Sequence, residues 1–119
     1  MLEKARVYIA GPMTGGTGMN FSMKKIHEAI EAHFTLIEAG YAPHCPHLTV
    51  FCEFMQPNRI TYEQWLELDE CYIKDSDYVL RIPGKSPGAD RECEYARSLG
   101  IPIIKGLKSF LSLFRPRRP

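Results

Sequence analysis

The sequence lacks a C-x-x-C pair, a long apolar run and any marked excess of charge of one sign. Each absence excludes a class of protein. The four cysteines, Cys45, Cys52, Cys71 and Cys93, are scattered through a chain large enough to fold without covalent staples, so free thiols in a reducing compartment are expected. No stretch approaches the roughly 18 to 20 apolar residues needed to cross a bilayer. Glu3, Lys4 and Arg6 lead directly into a short apolar run, so no signal peptide is visible and a soluble, cytoplasmic protein is expected. Fifteen basic residues against fourteen acidic ones leave a formal charge of +1, too little to recruit nucleic acid or an acidic membrane. There is no internal repeat. The 119 residues fit one domain, 1–119, since single cores occupy about 100 to 150 residues.

What is present is an alternation of β-prone and helical segments. Residues 6–10 form a short apolar run ending at Gly11 and Pro12, as a buried parallel strand does. Residues 13–20, with Gly15, Gly16 and Gly18, are too rich in glycine for regular structure and read as a strand-end loop. Asn20 or Ser22 can cap a helix whose apolar stripe is Phe21, Ile26, Ile30, Phe34 and Ile37, with Gly40 closing it. Residues 41–44 predict a second strand, and the stretch through Pro46, Pro57 and Asn58 a long irregular loop. Thr61 opens a helix with Gln64 as capping-box partner and Trp65, Leu66 and Leu68 or Ile73 on its apolar face. Residues 77–82 predict a third strand, 90–99 a helix stopped by Gly100, 101–104 a last strand and 107–114 a closing helix.

This order predicts an α/β fold: a three-layer, doubly wound, mostly parallel sheet of four to five strands, flavodoxin- or Rossmann-like. Ligands in such sheets bind beyond the carboxyl ends of the strands. The first glycine-rich loop and the Gly84 to Gly88 loop both fall there, and chemistry is sought between them. The tail from Arg115 to Pro119 reads as a solvated basic end.

Two carboxylates stand out near that region. Glu92 falls in the first turns of the helix after the third strand, where the helix dipole favours the ionised form of a nucleophile. Asp69, on the preceding helix, is the second, with Ile73 and Asp77 at spacings that share its helix face or exit. Paired carboxylates, one nucleophilic and one handling a proton, are the minimal set for cleaving a glycosidic bond. Taken alone, each is equally a solvated surface charge.

Tyr8 to Gly15, the segment 69–80 and the segment 84–96 together resemble the nucleoside 2-deoxyribosyltransferase-like superfamily, above all its short, often phage-encoded members. Gly88, Glu92 and Ala96 match the superfamily's G-x-x-x-E-x-x-x-A signature, and Glu94 does not. The resemblance implies that Glu92 attacks the anomeric carbon and that Asp69 positions the sugar or protonates the departing base. It further implies substrate contacts from Tyr8, Gly11, Pro12, Thr14, Gly15, Ser86 and Gly88, with Ser86 as the phosphate-binding serine of the 2'-deoxynucleoside 5'-phosphate N-hydrolase branch. Backbone amides of Gly11, Gly15 and Gly16 are further candidate anion contacts. Where that branch tends to carry an arginine in the first loop this chain has Thr14, leaving Arg81 or Arg91 as substitutes. No counterpart of the carboxy-terminal residues of true transferases is visible, which favours hydrolysis over transfer.

The expected activity is therefore cleavage of the N-glycosidic bond of a nucleoside or nucleoside 5'-monophosphate, with no cofactor and no metal. Superfamily relatives imply a homodimer or higher homo-oligomer. The rival is a non-catalytic module that binds or sequesters a nucleotide. His44, Cys45, His47 and Cys52 match no familiar zinc spacing. Tyr62 and Trp65 can stack on a base, but aromatics at helical spacing favour the core. Cys93 has no histidine nearby in sequence to make it a catalytic thiol.

Overall fold

In the computed structural model, which describes residues 3–14 and 21–113, the sheet is built from four parallel strands. They are β1 (Arg6–Ala10), β2 (Ala42–His44), β3 (Tyr78–Arg81) and β4 (Ile103–Lys105), in the spatial order β2-β1-β3-β4. The helices are α1 (Met23–Glu38), α2 (Val50–Met55), α3 (Tyr62–Lys74), α4 (Pro87–Ser98) and α5 (Leu107–Leu113). The chain steps from β1 to β2 on one side and then returns across β1 to β3, so the direction of winding reverses between β1 and β3. Beyond the carboxyl ends of these two strands lies the crevice that this topology leaves open.

Strand alternation decides which side chains reach which layer. Val7, Ile9, Tyr78 and Leu80 pack with Ala29, Ala32 and Leu36 of α1 and Phe110 of α5 on one face. Tyr8, Ala10 and Val79 point the other way, against Ile73 of α3 and Ala89, Cys93 and Ala96 of α4. Thus β1 is buried on both faces, and Tyr8 is delivered to the layer that carries Asp69 and Glu92.

The local signals act as the sequence indicates at most helix ends. Ser22 caps α1 by accepting from the Lys25 amide, and Gly40, at φ 96°, takes the left-handed position after it. Thr61 and Gln64 exchange both hydrogen bonds of a capping box. Asn20, Gly15, Gly16, Gly18, Phe114 and the basic tail lie outside the described residues.

Three expectations need correction. The buried stripe of α1 is Ile26, Ala29, Ala32 and Leu36, whereas Phe34 and Ile37 are exposed; small alanines let the helix sit close to the sheet. The segment after β2 is not irregular: Pro46–Thr49 form a 3₁₀ turn continuing into α2, with Val50 and Glu53 buried one turn apart. Finally, α4 begins at Pro87, because Ser86 caps it and proline suits the first helical position.

Phe110 is fully buried and meets Tyr41 and Tyr78 edge to face, with ring centroids 5.2 and 6.0 Å apart. Phe110→Ala is expected to destabilise the fold by about 3 to 5 kcal/mol in urea unfolding. A loss below about 1 kcal/mol would mean that α5 does not close this face of the core.

Candidate active site

A cavity of about 850 Å3 opens at the carboxyl ends of β1 and β3. Its lining draws on five places: Gly11, Met13 and Thr14 after β1, Phe21 and Lys25 at the start of α1, Thr49, Val50 and Glu53 around α2, Tyr62, Trp65, Leu66 and Asp69 on α3, and Lys85 to Ala89 with Glu92 at the start of α4. The α3 contribution follows from helical spacing, since positions 62, 65, 66 and 69 share one face. Gly88 lets α4 approach α3, because a Cβ there would lie 2.8 Å from the Tyr62 hydroxyl. Likewise, a Cβ on Gly11 would meet Ile82 Cβ at 2.8 Å.

At the floor, three buried polar side chains converge from three elements. The Tyr8 hydroxyl of β1 donates to Glu92 Oε2 of α4 at 2.5 Å, and Asp69 of α3 shares hydrogen bonds with both. All three side chains are buried, with Asp69 and Glu92 only 7% and 6% exposed. Burial raises the Asp69 carboxyl from the usual carboxylate value to about 6, although hydrogen bonds from its partners pull the other way. Glu92 is raised further above its ordinary range, first by burial and then by the neighbouring charge of Asp69, with the Tyr8 hydrogen bond opposing. Burial and the two carboxylates also hold the Tyr8 phenol well above its normal value, so it stays a proton donor. Position alone suggested that the helix dipole would keep Glu92 ionised. In the second turn of α4, desolvation outweighs it, and the pair favours sharing a proton.

The remaining sequence-selected residues divide. Gly11, Thr14, Ser86 and Gly88 line the cavity. Gly15 and Gly16 lie outside the described residues. Tyr8 is fully buried beneath Glu92 and does not line the cavity, because β1 alternation turns it under α4. Nor does Pro12: its carbonyl accepts from His47 Nε2 at 3.2 Å and its ring packs on Gly84. Asp77 takes no part either, since it accepts from the Arg6 amide at the entry to β3.

Neither arginine reaches the cavity. Arg81 is held by the Ile82 and Gly84 carbonyls and by Asp90, and Arg91 by Glu63 and Glu70 on the surface. The cations that do line it are Lys25, whose Nζ donates to the Thr14 carbonyl at 3.1 Å, and Lys85. Tyr62 and Trp65, which helical spacing assigned to the core, are cavity residues instead.

Of the histidine and cysteine group, His44 stacks between Tyr8 and Tyr72, while His47 sits between Cys45 and the Pro12 carbonyl. Cys52 is exposed and Cys93 buried. Among the described residues no three His, Cys, Asp or Glu side chains are grouped to hold a metal ion, and no helix is long and apolar enough to cross a membrane.

Sequence reasoning missed Glu53, Lys25, Lys85 and Phe21. Only Phe21 and Lys25 carried a usable signal, their closeness to the Ser22 cap at the mouth of the first loop.

Residues 5–105 match the family described as "Domain of unknown function (DUF4406)". No curated protein matches the chain. Among solved structures, it is similar to the 2-deoxyribosyltransferase of the psychrotolerant bacterium Bacillus psychrosaccharolyticus, with 21% identity and a TM-score of 0.63 over 85% of this chain and 71% of that one. It is also similar to the Clostridium botulinum CMP N-glycosidase BcmB, with 25% identity and a TM-score of 0.53 over 84% of this chain and 66% of that one. BlsM shares 20% identity and a TM-score of 0.64 over 92% of this chain and 71% of its own. The four-stranded parallel fold is thus the one these 2-deoxyribosyltransferase-like proteins share.

The proton affinity of the floor has a thermodynamic consequence. Because the folded chain holds protons on Asp69 and Glu92 more tightly than the unfolded chain does, their contribution to stability is complete below about pH 4. It is lost as pH rises through about 6 for Asp69, and at higher pH for Glu92. Asp69→Asn escapes this loss. At pH 8 it is expected to unfold at higher denaturant than wild type, by on the order of 1 to 3 kcal/mol, with a smaller difference at pH 5. Equal stability of the two proteins at both pH values would show that the carboxyl is not strained.

Proposed function

The chain belongs to the DUF4406 family of domains of unknown function, and we propose that it hydrolyses the N-glycosidic bond of a nucleoside or nucleoside 5'-monophosphate through Glu92. The observation that carries this reading is the buried Tyr8, Glu92 and Asp69 cluster at the floor of the cavity. Two carboxyls sharing one proton, one of them fixed by a phenol, form an acid and base pair in which the ionised and protonated members take different roles.

The shared proton rests on Glu92 and passes to Asp69 as substrate fills the cavity, which leaves Glu92 the carboxylate, stabilised by the Tyr8 O–H. A Glu92 oxygen attacks the anomeric carbon while the bond to the base nitrogen breaks. The electron pair leaves with the base, which takes the Asp69 proton. The resulting glycosyl ester is opened by water, whose proton passes to Asp69 as the free sugar leaves and Glu92 is restored. Neither step requires a cofactor. Fold neighbours described as a 2-deoxyribosyltransferase and a CMP N-glycosidase support N-glycosidic chemistry in this scaffold. Ser86 and Lys85 on the β3–α4 loop, with Lys25, supply the polar and cationic groups that a 5'-phosphate requires.

Release of free base from a panel of nucleosides and 5'-monophosphates tests this directly. Glu92→Gln is expected to lower the rate by on the order of a thousandfold or more, and Asp69→Asn by on the order of a hundredfold. Full activity in Glu92→Gln overturns the mechanism. Thermal protection by a nucleotide without base release would establish the binding module instead, and formation of a new nucleoside when a second base is added would establish transfer.

The protein also acts as a homodimer or larger. Phe51, Phe54 and Met55 of α2, beside the cavity, are 63%, 81% and 79% exposed, an apolar face that a second copy would cover. Light scattering in dilute solution is expected to give at least a dimer, with Phe54→Glu reducing the mass; a monomeric wild type rules this out.

A further inference from the structure

Glu53 is a buried carboxylate that the proposed chemistry does not use. It is 9% exposed, lines the cavity from α2, and among the described residues has no cation within ion-pair distance. Its two oxygens are fixed separately. The Trp65 indole N–H donates to Oε1 at 3.2 Å, and the Asn58 amide donates to Oε2 at 2.6 Å. Asn58 adopts φ 60°, a left-handed conformation that asparagine tolerates better than most residues. An ionised carboxylate only accepts and offers about four lone-pair sites, so two of them have no partner among the described residues. A buried acceptor left in this state calls for a donor from whatever fills the cavity.

Position narrows what that donor is. Asp69, the group that protonates the departing base, lies on α3, so the base leaves along that wall. Trp65 is one turn earlier on the same face of α3, about 6 Å along the helix axis. A flat heterocycle laid on the indole has its rim beside the carboxylate that the indole N–H holds. Phosphate is repelled there, since Glu53 carries the same sign of charge, whereas Val50 and Trp65 give the surroundings an apolar, aromatic character.

We propose that Glu53 selects the base, accepting hydrogen bonds from an exocyclic amino group, so that the substrates are nucleosides or nucleotides of amino-bearing bases. The assignment rests on the N-glycosidase reading above. An oxo group at the same place turns its lone pairs toward the carboxylate and leaves the Glu53 oxygens unmet, and both effects disfavour it. An imide N–H is a poorer fit, because carbonyls flank it on both sides.

The test compares substrate pairs that differ only in amino against oxo, cytidine with uridine and adenosine with inosine, as riboside, 2'-deoxyriboside and 5'-monophosphate. Wild type is expected to favour the amino member in kcat/KM by on the order of tenfold or more. Glu53→Gln, which places an amide donor at the site, is expected to bring that ratio down to about one or reverse it. Dimethylating the amino nitrogen removes its hydrogens and is expected to cost wild type a similar factor, a measurement that does not depend on the variant folding. A wild-type ratio near one, an unchanged ratio in Glu53→Gln, or indifference to dimethylation each overturns the assignment. If no substrate releases base, it is the glycosidase reading that has failed. The selection by Glu53 is then read from thermal protection by the same pairs, where equal shifts for amino and oxo members overturn it.

Discussion

The hydrogen bond from Tyr8 to Glu92 ties the sheet to the start of α4 and dictates how the carboxyl ends of the strands can be built. Two carboxyls and a phenol, buried together with no cation at ion-pair distance among the described residues, are stable only if each finds a partner in the others and the group retains a proton. That requirement fixes the side of β1 on which Tyr8 must emerge, the face of α3 that Asp69 must occupy and the closeness with which α4 must approach. Gly88 meets the last condition, since a methyl group there would collide with the Tyr62 hydroxyl of α3.

Such a cluster is a poor device for stability and a good one for reactivity. Hydrophobic side chains of similar size would fill the same space at lower cost. What the polar version provides is a pair of carboxyls whose proton is mobile between them in a water-poor setting, held on Glu92 at rest by burial and the neighbouring Asp69 charge while the phenol opposes. The hydrophobic layers on both faces of β1 carry the burden of holding these groups in place.

Much of this was legible from residue order. Parallel strands could be read because residues 7–10 and 78–80 are continuous apolar runs, as strands buried on both faces must be. Thr61 with Gln64, Ser22, and Gly40 marked helix ends because capping is local chemistry. The α1 stripe misled because Phe34 and Ile37 outweigh Ala29 and Ala32 in any hydrophobic pattern, whereas the sheet selects for small side chains where a helix lies close. The short α2 escaped notice because Thr49 makes no side-chain cap and its Phe51, Phe54 and Met55 face outward, so neither a start signal nor an amphipathic period was visible. Glu53 went unseen with it. Glu92 and Asp69 could be singled out by spacing and resemblance, yet the sharing of a proton between them depends on burial, which spacing does not encode. Trp65 and Tyr62 show the same limit: helical periodicity says that a face is apolar, not whether protein or an open crevice lies against it.

The backbone bridge between Thr14 and Phe21, reinforced by the Ser22 amide on the Met13 carbonyl at 2.9 Å, clamps the two ends of the stretch between β1 and α1. Strand and helix are thereby insulated from whatever length of chain runs between the clamped ends, because closing a somewhat longer segment adds little entropy once its ends are held. Related sequences can lengthen, shorten or rewrite that stretch without disturbing the strand and helix on either side of it. Here the connection and the chemistry can diversify independently.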